Sequence, residues 1–211
     1  MKASKGVSSS TASGYEPQAK KRQRLLIDAD RAEEYIKTTQ PGRVPLHQVT
    51  WYHDNRGGQG IMPFHVHTIA ENICVEGTSS RRYGQVRLVE VPEKEKQALL
   101  AGNRKKAKQN PLLADFRAMS TTGPLYATLS CTHFVEAQKL FKEGARTYHN
   151  QPDGQKFILK DDDKEGQMIQ SHGVTVVVYS ADLWYDTPAL LAIMREDNFD
   201  AQVSKHPRRR P

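Results

Sequence analysis

The chain has 211 residues, 37% hydrophobic and 26% charged, with a formal net charge of +7 at pH 7. That length allows one domain of ordinary size with its own core, and no run approaches the roughly 18 apolar residues that would span a bilayer. Met1-Lys-Ala-Ser-Lys-Gly-Val-Ser-Ser-Ser10 lacks the apolar segment of a secretory signal, so neither a membrane nor a secreted role is expected.

The charge is unevenly placed. Residues 1–24 hold Lys2, Lys5, Lys20, Lys21, Arg22 and Arg24 against Glu16, a net of +5. The end from Ser204 to Pro211 holds Lys205, Arg208, Arg209 and Arg210, a net of +4, which leaves −2 for everything between. Lys20, Lys21, Arg22, Arg24, Arg208, Arg209 and Arg210 are therefore the candidate nucleic-acid contacts, acting by counterion release. Solvated tails without a partner fit the same composition. Cys74 and Cys131 permit one disulfide, but a reduced intracellular chain, nuclear or cytoplasmic, is the expectation.

In chain order, residues 1–24 are rich in Ser, Lys and Arg and are expected to be a disordered tail. A short helix should begin near Asp28 and carry Ala32, Tyr35 and Ile36 inward until Pro41-Gly42 breaks it. Val44 to Tyr52 reads as a strand with Val49 and Trp51 on one face. His53-Asp-Asn-Arg-Gly-Gly-Gln-Gly60 is a loop. Pro63 opens a helix in which Val66, Ile69, Ala70 and Ile73 recur at helical spacing, and Gly77 ends it. Val86 to Val91 is a strand.

Residues 92–123 read as an insertion: a helix over Pro92–Ala101, an exposed Arg104–Lys108, and a second short helix with Leu112, Leu113, Phe116 and Met119. Leu125–Leu129 is the next strand. It runs into a helix from about His133 to Glu143, capped by Thr132 and ended by Gly144. Residues 145–172 form a second insertion, with a turn at Gln151–Gly154 and a helix from Asp161-Asp-Asp163 to His172-Gly173. Val174–Ser180 is apolar on both faces, and Thr187-Pro188 opens the last helix. Alternating strands and helices predict an α/β (α+β) fold with a single mixed-sheet domain over 25–203 between tails 1–24 and 204–211.

Three stretches resemble the ParB/sulfiredoxin-like superfamily. Val44–Arg56 is similar to its opening strand and Asn/Arg loop, and Ile69–Gly77 with Val86–Val91 to its helix–glycine–strand passage. Leu125–Leu140 is similar to its strand, phosphate-binding turn and helix. The resemblance covers about half the chain, with the two insertions between. At the turn this chain has Ser130-Cys-Thr-His-Phe134; Cys131 stands at the glycine position, and His133 and Phe134 replace the arginines. The resemblance implies that Ser130, Cys131, Thr132 and His133 bind the phosphates of a nucleotide, for instance a nucleoside triphosphate with Mg²⁺. Asn55, Arg56 and Gly57 would complete the site.

The residues themselves support the same place. A strand-to-helix turn aims free N–H groups and the positive end of a helix dipole at one point, which suits a phosphate or a thiolate. Arg56, between Asn55 and Gly57-Gly58, can reach an anion. Cys131 and His133 are the candidate nucleophile and base, although side chains two apart at a helix start do not face each other. His65 and His67, with His47 and His53, carry no metal spacing; on a helix the pair diverges by about 200°. Asp161–Asp163 with Glu165 complements a helix dipole, so no metal is expected. Arg81-Arg82 and Arg104–Lys108 are basic surface clusters. Three functions follow: a binder of nucleotide or nucleic-acid phosphate, a phosphotransferase- or nuclease-like enzyme using Cys131 or His133, or a non-catalytic interaction module with a degenerate site.

Overall fold

Side-chain alternation along five short strands decides where the core lies. The strands are β1 (Gly42–Val44), β2 (Val49–Trp51), β3 (Val86–Glu90), β4 (Tyr126–Thr128) and β7 (Val174–Tyr179), while β5 (Arg146–Thr147) and β6 (Lys156–Phe157) pair as a separate antiparallel ribbon. The computed structural model describes residues 18–37, 42–52, 61–78, 85–109, 123–141, 146–147 and 156–204. The main sheet has the order β1-β7-β3-β4-β2. β2 runs parallel to β4 with Trp51 opposite Thr128, and β3 parallel to β7 with Leu88 opposite Val178. The two pairs meet antiparallel, Leu88 facing Thr128, and β1 lies antiparallel to β7. The sheet is mixed and the class is α/β, as expected.

Among the described residues, six helices cover the two faces: α1 (Gln18–Glu33), α2 (Pro63–Glu76), α3 (Glu93–Gln109), α4 (Thr132–Lys139), α5 (Lys164–His172) and α6 (Thr187–Ser204). Val49, Trp51, Val86, Leu88, Val176 and Val178 share one buried cluster with Val66 and Ile73 of α2, Val135 and Ala137 of α4 and Ile169 of α5. Val89, Ala127 and Tyr179, one residue out of phase, pack with Ala32 of α1, Leu99 of α3 and Leu190 of α6. Period-two alternation thus gives a helix–sheet–helix sandwich. No described helix is long and apolar enough to cross a membrane.

Several boundaries differ from the sequence-based expectation. α1 begins at Gln18, ten residues before Asp28, so Lys20, Lys21, Arg22 and Arg24 ride on a helix and not on a tail. Tyr35 and Ile36 lie past its end, where Ile36 bridges to Tyr179. The single strand expected over Val44–Tyr52 is two strands on opposite edges of the sheet, divided at Pro45 by a 3-10 turn over Leu46–Gln48. Pro45 has no N–H to continue a ladder, so the chain leaves one edge there and reaches the other. α3 does not stop at Ala101 but continues through Arg104–Lys108 to Gln109. The helix expected around Leu112–Met119, Gly144 and the Gln151–Gly154 turn lie outside the described residues. α2, α5, β7 and the start of α6 fall where expected.

Polar side chains fasten the layers. Asp186 accepts from Arg31 Nη2 at 2.9 Å, from Tyr35 Oη at 3.1 Å and from the Ala189 N–H at 3.3 Å, so it caps α6 while holding α1. On β2, an edge strand, Lys139 Nζ donates to Val49 O at 2.7 Å and Asn103 Nδ2 to Trp51 O at 3.1 Å. Two carbonyls of that edge are thus taken from α4 and α3, which makes them poor templates for another strand.

Buried Asp163 is the N-cap of α5. Its Oδ1 accepts from Gly166 N at 2.9 Å, and its Oδ2 accepts both the N–H and the hydroxyl of Thr78 at 2.7 Å. One carboxylate therefore joins the end of α2 to the start of α5. Asp163→Ala removes a cap and strands two buried donors, which should cost about 3 kcal/mol in urea denaturation. A loss under about 1 kcal/mol would show that water replaces the carboxylate.

Candidate anion-binding site

β2 and β4 are parallel neighbours, so the helices that follow them, α2 and α4, start at the same edge of the sheet. A hydrogen bond ties the two starts together: the Met62 N–H, at the N-cap of α2, donates to His133 Nε2 in the first turn of α4 at 3.0 Å. The rings of His133 and His65 meet edge-on with centroids 5.6 Å apart.

The α4 start has an unusual backbone. Cys131, its N-cap, has φ +53 and ψ +29, the left-handed region, and is the only non-glycine residue with positive φ among those described. A left-handed residue followed by a right-handed helix lines up successive N–H groups as an anion-binding concavity. The Cys131 side chain makes no cap hydrogen bond. The N–H groups of Thr132 and His133 have no acceptor among the described residues, nor does that of Phe64 in the first turn of α2. Pro63 contributes no N–H there, and the His65 and Val66 N–H groups turn back to Met62 O.

The side chains of the turn serve other ends. Ser130 Oγ donates to Gln85 O at 2.8 Å and accepts from Arg87 N at 3.0 Å, prolonging the β3–β4 pairing beyond the strands. Thr132, expected as the cap, is the first helical residue, and its hydroxyl reaches back to Thr128 Oγ1 at 3.0 Å. Half-buried Cys131 packs against the core cluster, with Sγ 3.9 Å from Gln85 O. His133 accepts through Nε2, so the ring is neutral with its proton on Nδ1. Burial, then the neighbouring His65, holds its pKa below the ordinary 6.5.

Of the residues singled out from sequence, Ser130, Cys131, Thr132 and His133 therefore stand together at the turn, with side chains mostly committed and the Thr132 and His133 N–H groups without an acceptor among the described residues. Asn55, Arg56 and Gly57 lie outside the described residues, as do Arg208, Arg209 and Arg210. Lys20, Arg22 and Arg24 are exposed on α1, and Lys21 lies on the same helix. His65 and His67 point apart, one to His133 and the other, buried, to the Phe157 ring. No group of three metal-ligating side chains occurs among the described residues, and both cysteines are free.

Sequence reasoning missed the use of His133 as a partner for Met62, since residues 71 apart carry no mutual signal. It also missed Glu136, fully buried one turn along α4. Glu136 Oε1 accepts from Lys139 Nζ at 2.6 Å, and Oε2 has no hydrogen-bond partner among the described residues. An acidic residue between Val135 and Ala137 reads as solvent-facing until the helix is docked.

The strained corner makes a direct prediction. A β-branched residue tolerates φ near +53 poorly, so Cys131→Val should lose about 2 kcal/mol of stability. Cys131→Gly should stay within about 0.5 kcal/mol of the parent, because relief of the left-handed penalty offsets its greater unfolded entropy. Equal losses in both, measured by thermal and urea melts, would place the cost in the thiol and not in the backbone.

Comparison of the chain with protein-family models, with curated proteins and with solved structures finds no match in any of the three.

Proposed function

We propose that this protein binds the phosphate of a nucleotide or nucleic acid at the paired starts of α4 and α2. The observation that carries it is the left-handed entry to α4 at Cys131, where the Thr132 and His133 N–H groups, beside the start of α2, have no acceptor among the described residues. Donors of this kind, backed by a helix dipole, suit an anion. Residues 53–60 lie between β2 and α2 in the chain, so in this proposal Arg56 supplies the charge that the turn lacks. The basic residues of α1 and of the C-terminal end add attraction independent of sequence.

Kinship with the ParB/sulfiredoxin-like superfamily belongs to the same proposal. Its support is that Cys131, which stands where the resemblance places a glycine, has a backbone conformation that glycine adopts without strain. The proposal favours binding over catalysis by His133, because Nε2 is already engaged by Met62. An intracellular setting, nuclear or cytoplasmic, goes with two free cysteines.

The test uses the full chain with mono-, di- and triphosphate nucleotides and with duplex DNA. Arg56→Ala should abolish nucleotide binding, whereas neutralising Lys20, Lys21, Arg22, Arg24, Arg208, Arg209 and Arg210 to Gln should leave it within about threefold while flattening the salt dependence of DNA binding. Binding lost only on neutralising those seven would confine function to the ends and defeat the proposal.

A further inference from the structure

α2 enters at Met62 with no side-chain cap of its own, and its first donor is taken by a ring from another helix. That ring is titratable. With a proton on Nε2, His133 would oppose an N–H to the Met62 N–H across 3.0 Å, two donors with nothing to accept. The pair cannot persist in that state.

From this geometry we propose that His133 is a proton-sensitive bolt between α2 and α4, closed when neutral and opened by protonation, and that opening strengthens anion capture at the α4 start. The second half rests on the phosphate-binding proposal; the first does not. Opening removes this hydrogen bond between the two helix starts and leaves an imidazolium in the first turn of α4, beside its own N–H and that of Thr132, neither of which has an acceptor among the described residues. Each change favours an anion there.

The surroundings fix the direction of the response. From α2, His65 faces the ring edge-on and disfavours a charge on it. From its own turn, Cys131 stands two residues away as a free cysteine. No described acidic side chain hydrogen-bonds or ion-pairs with His133, so nothing in that set would hold the proton on. His53, Asp54 and Arg56, which precede α2 in the chain, lie outside the described residues. Burial of the ring and the approach of His65 both resist protonation, so the bolt opens below the ordinary histidine range.

Two readouts on the full-length protein separate the halves. Amide hydrogen exchange at Met62, corrected for intrinsic pH dependence, should keep constant protection above about pH 7 and lose at least tenfold by pH 5, in step with the His133 ring shifts. His133→Gln, whose side-chain oxygen can accept the same bond without titrating, should hold a flat profile. Sulfate serves as the anion probe because its charge does not change over this range. Its affinity should rise at least fivefold from pH 7.5 to 5 in the parent and not in His133→Gln.

Met62 protection that ignores pH in the parent overturns the bolt whatever the variant does. A pH-dependent bolt with flat but measurable sulfate affinity overturns the coupling. A pH-dependent bolt with no sulfate bound at any pH removes the anion site, and with it the proposed function, while leaving the bolt in place.

Discussion

Gly173→Ala should be the most damaging single-methyl change in the fold. Gly173 has φ +90 and ψ 177, a region open essentially to glycine alone, and it closes α5 through its N–H to Ile169 O at 2.9 Å. A Cβ there would fall 2.0 Å from Val44 O and 2.3 Å from Val44 C, so backbone and not a movable side chain blocks it. β1 and β7 are in register at the next residue, Val44 opposite Val174, and Arg43 Nη1 donates to Gly173 O at 2.9 Å. Accommodating the methyl requires β1 to leave the sheet. The expected loss is about 4 kcal/mol or more, roughly 8–16 °C in Tm for a chain of this size. Gly42→Ala is the control, since a Cβ there meets nothing within 4 Å, and it should stay within about 0.5 kcal/mol. Equal behaviour of the two variants would mean that the β1–β7 seam yields.

Lys139→Met should rank beside it, for an electrostatic reason. Glu136 is 0% exposed, and Lys139 Nζ is the only partner of its carboxyl group among the described residues. Burial raises the Glu136 pKa above its ordinary 4.5, more than the charge and hydrogen bond of Lys139 lower it. Removing the ammonium strands a buried acid and uncovers Val49 O, which should cost about 3–5 kcal/mol. Glu136→Gln combined with Lys139→Met should recover most of that loss, because the expense lies in the unpaired charge.

The pH dependence has a definite sign. An acid whose folded pKa is raised gives the protein its full stability below the unfolded value, near 4.5, and loses it as pH climbs through the folded value. Lys139→Met raises that pKa further, so its deficit should widen between pH 4.5 and neutrality. Glu136→Gln should remove the slope. Denaturant titrations at several pH values check this, and a Lys139→Met deficit that shrinks as pH rises would contradict it.

Local chemistry made much of the fold legible. Pro63 and Gly77 bracket α2, Asp163 and Gly173 bracket α5, and the β-branched run Val174–Tyr179 is the interior strand between β1 and β3. The failures came where tertiary packing overrode propensity. α1 extends back to Gln18 although its first turn has no acidic residue and basic side chains oppose the dipole. Its packing along α6 and the Arg31–Asp186 pair hold it instead. Pro45 divided an apolar run that reads as one strand, and only the sheet order reveals that its halves occupy opposite edges.

The candidate site was legible as a turn in the chain and not as a set of side-chain contacts. The strand-to-helix turn over Leu125–Leu140 stands where expected, and the Thr132 and His133 N–H groups have no acceptor among the described residues. Ser130, Thr132 and His133, named for their side chains, use them on Gln85, Arg87, Thr128 and Met62. Those partners lie 4 to 71 residues away and appear only when β2, β3 and β4 are side by side.

The most direct measurement is an amide NMR titration of the full-length protein with inorganic phosphate at pH 7.5. Saturable shifts should centre on Thr132 and His133 and extend to Phe64 across the junction. Silence at those three amides, with movement only among Lys20–Arg24 and the C-terminal arginines, would contradict the account.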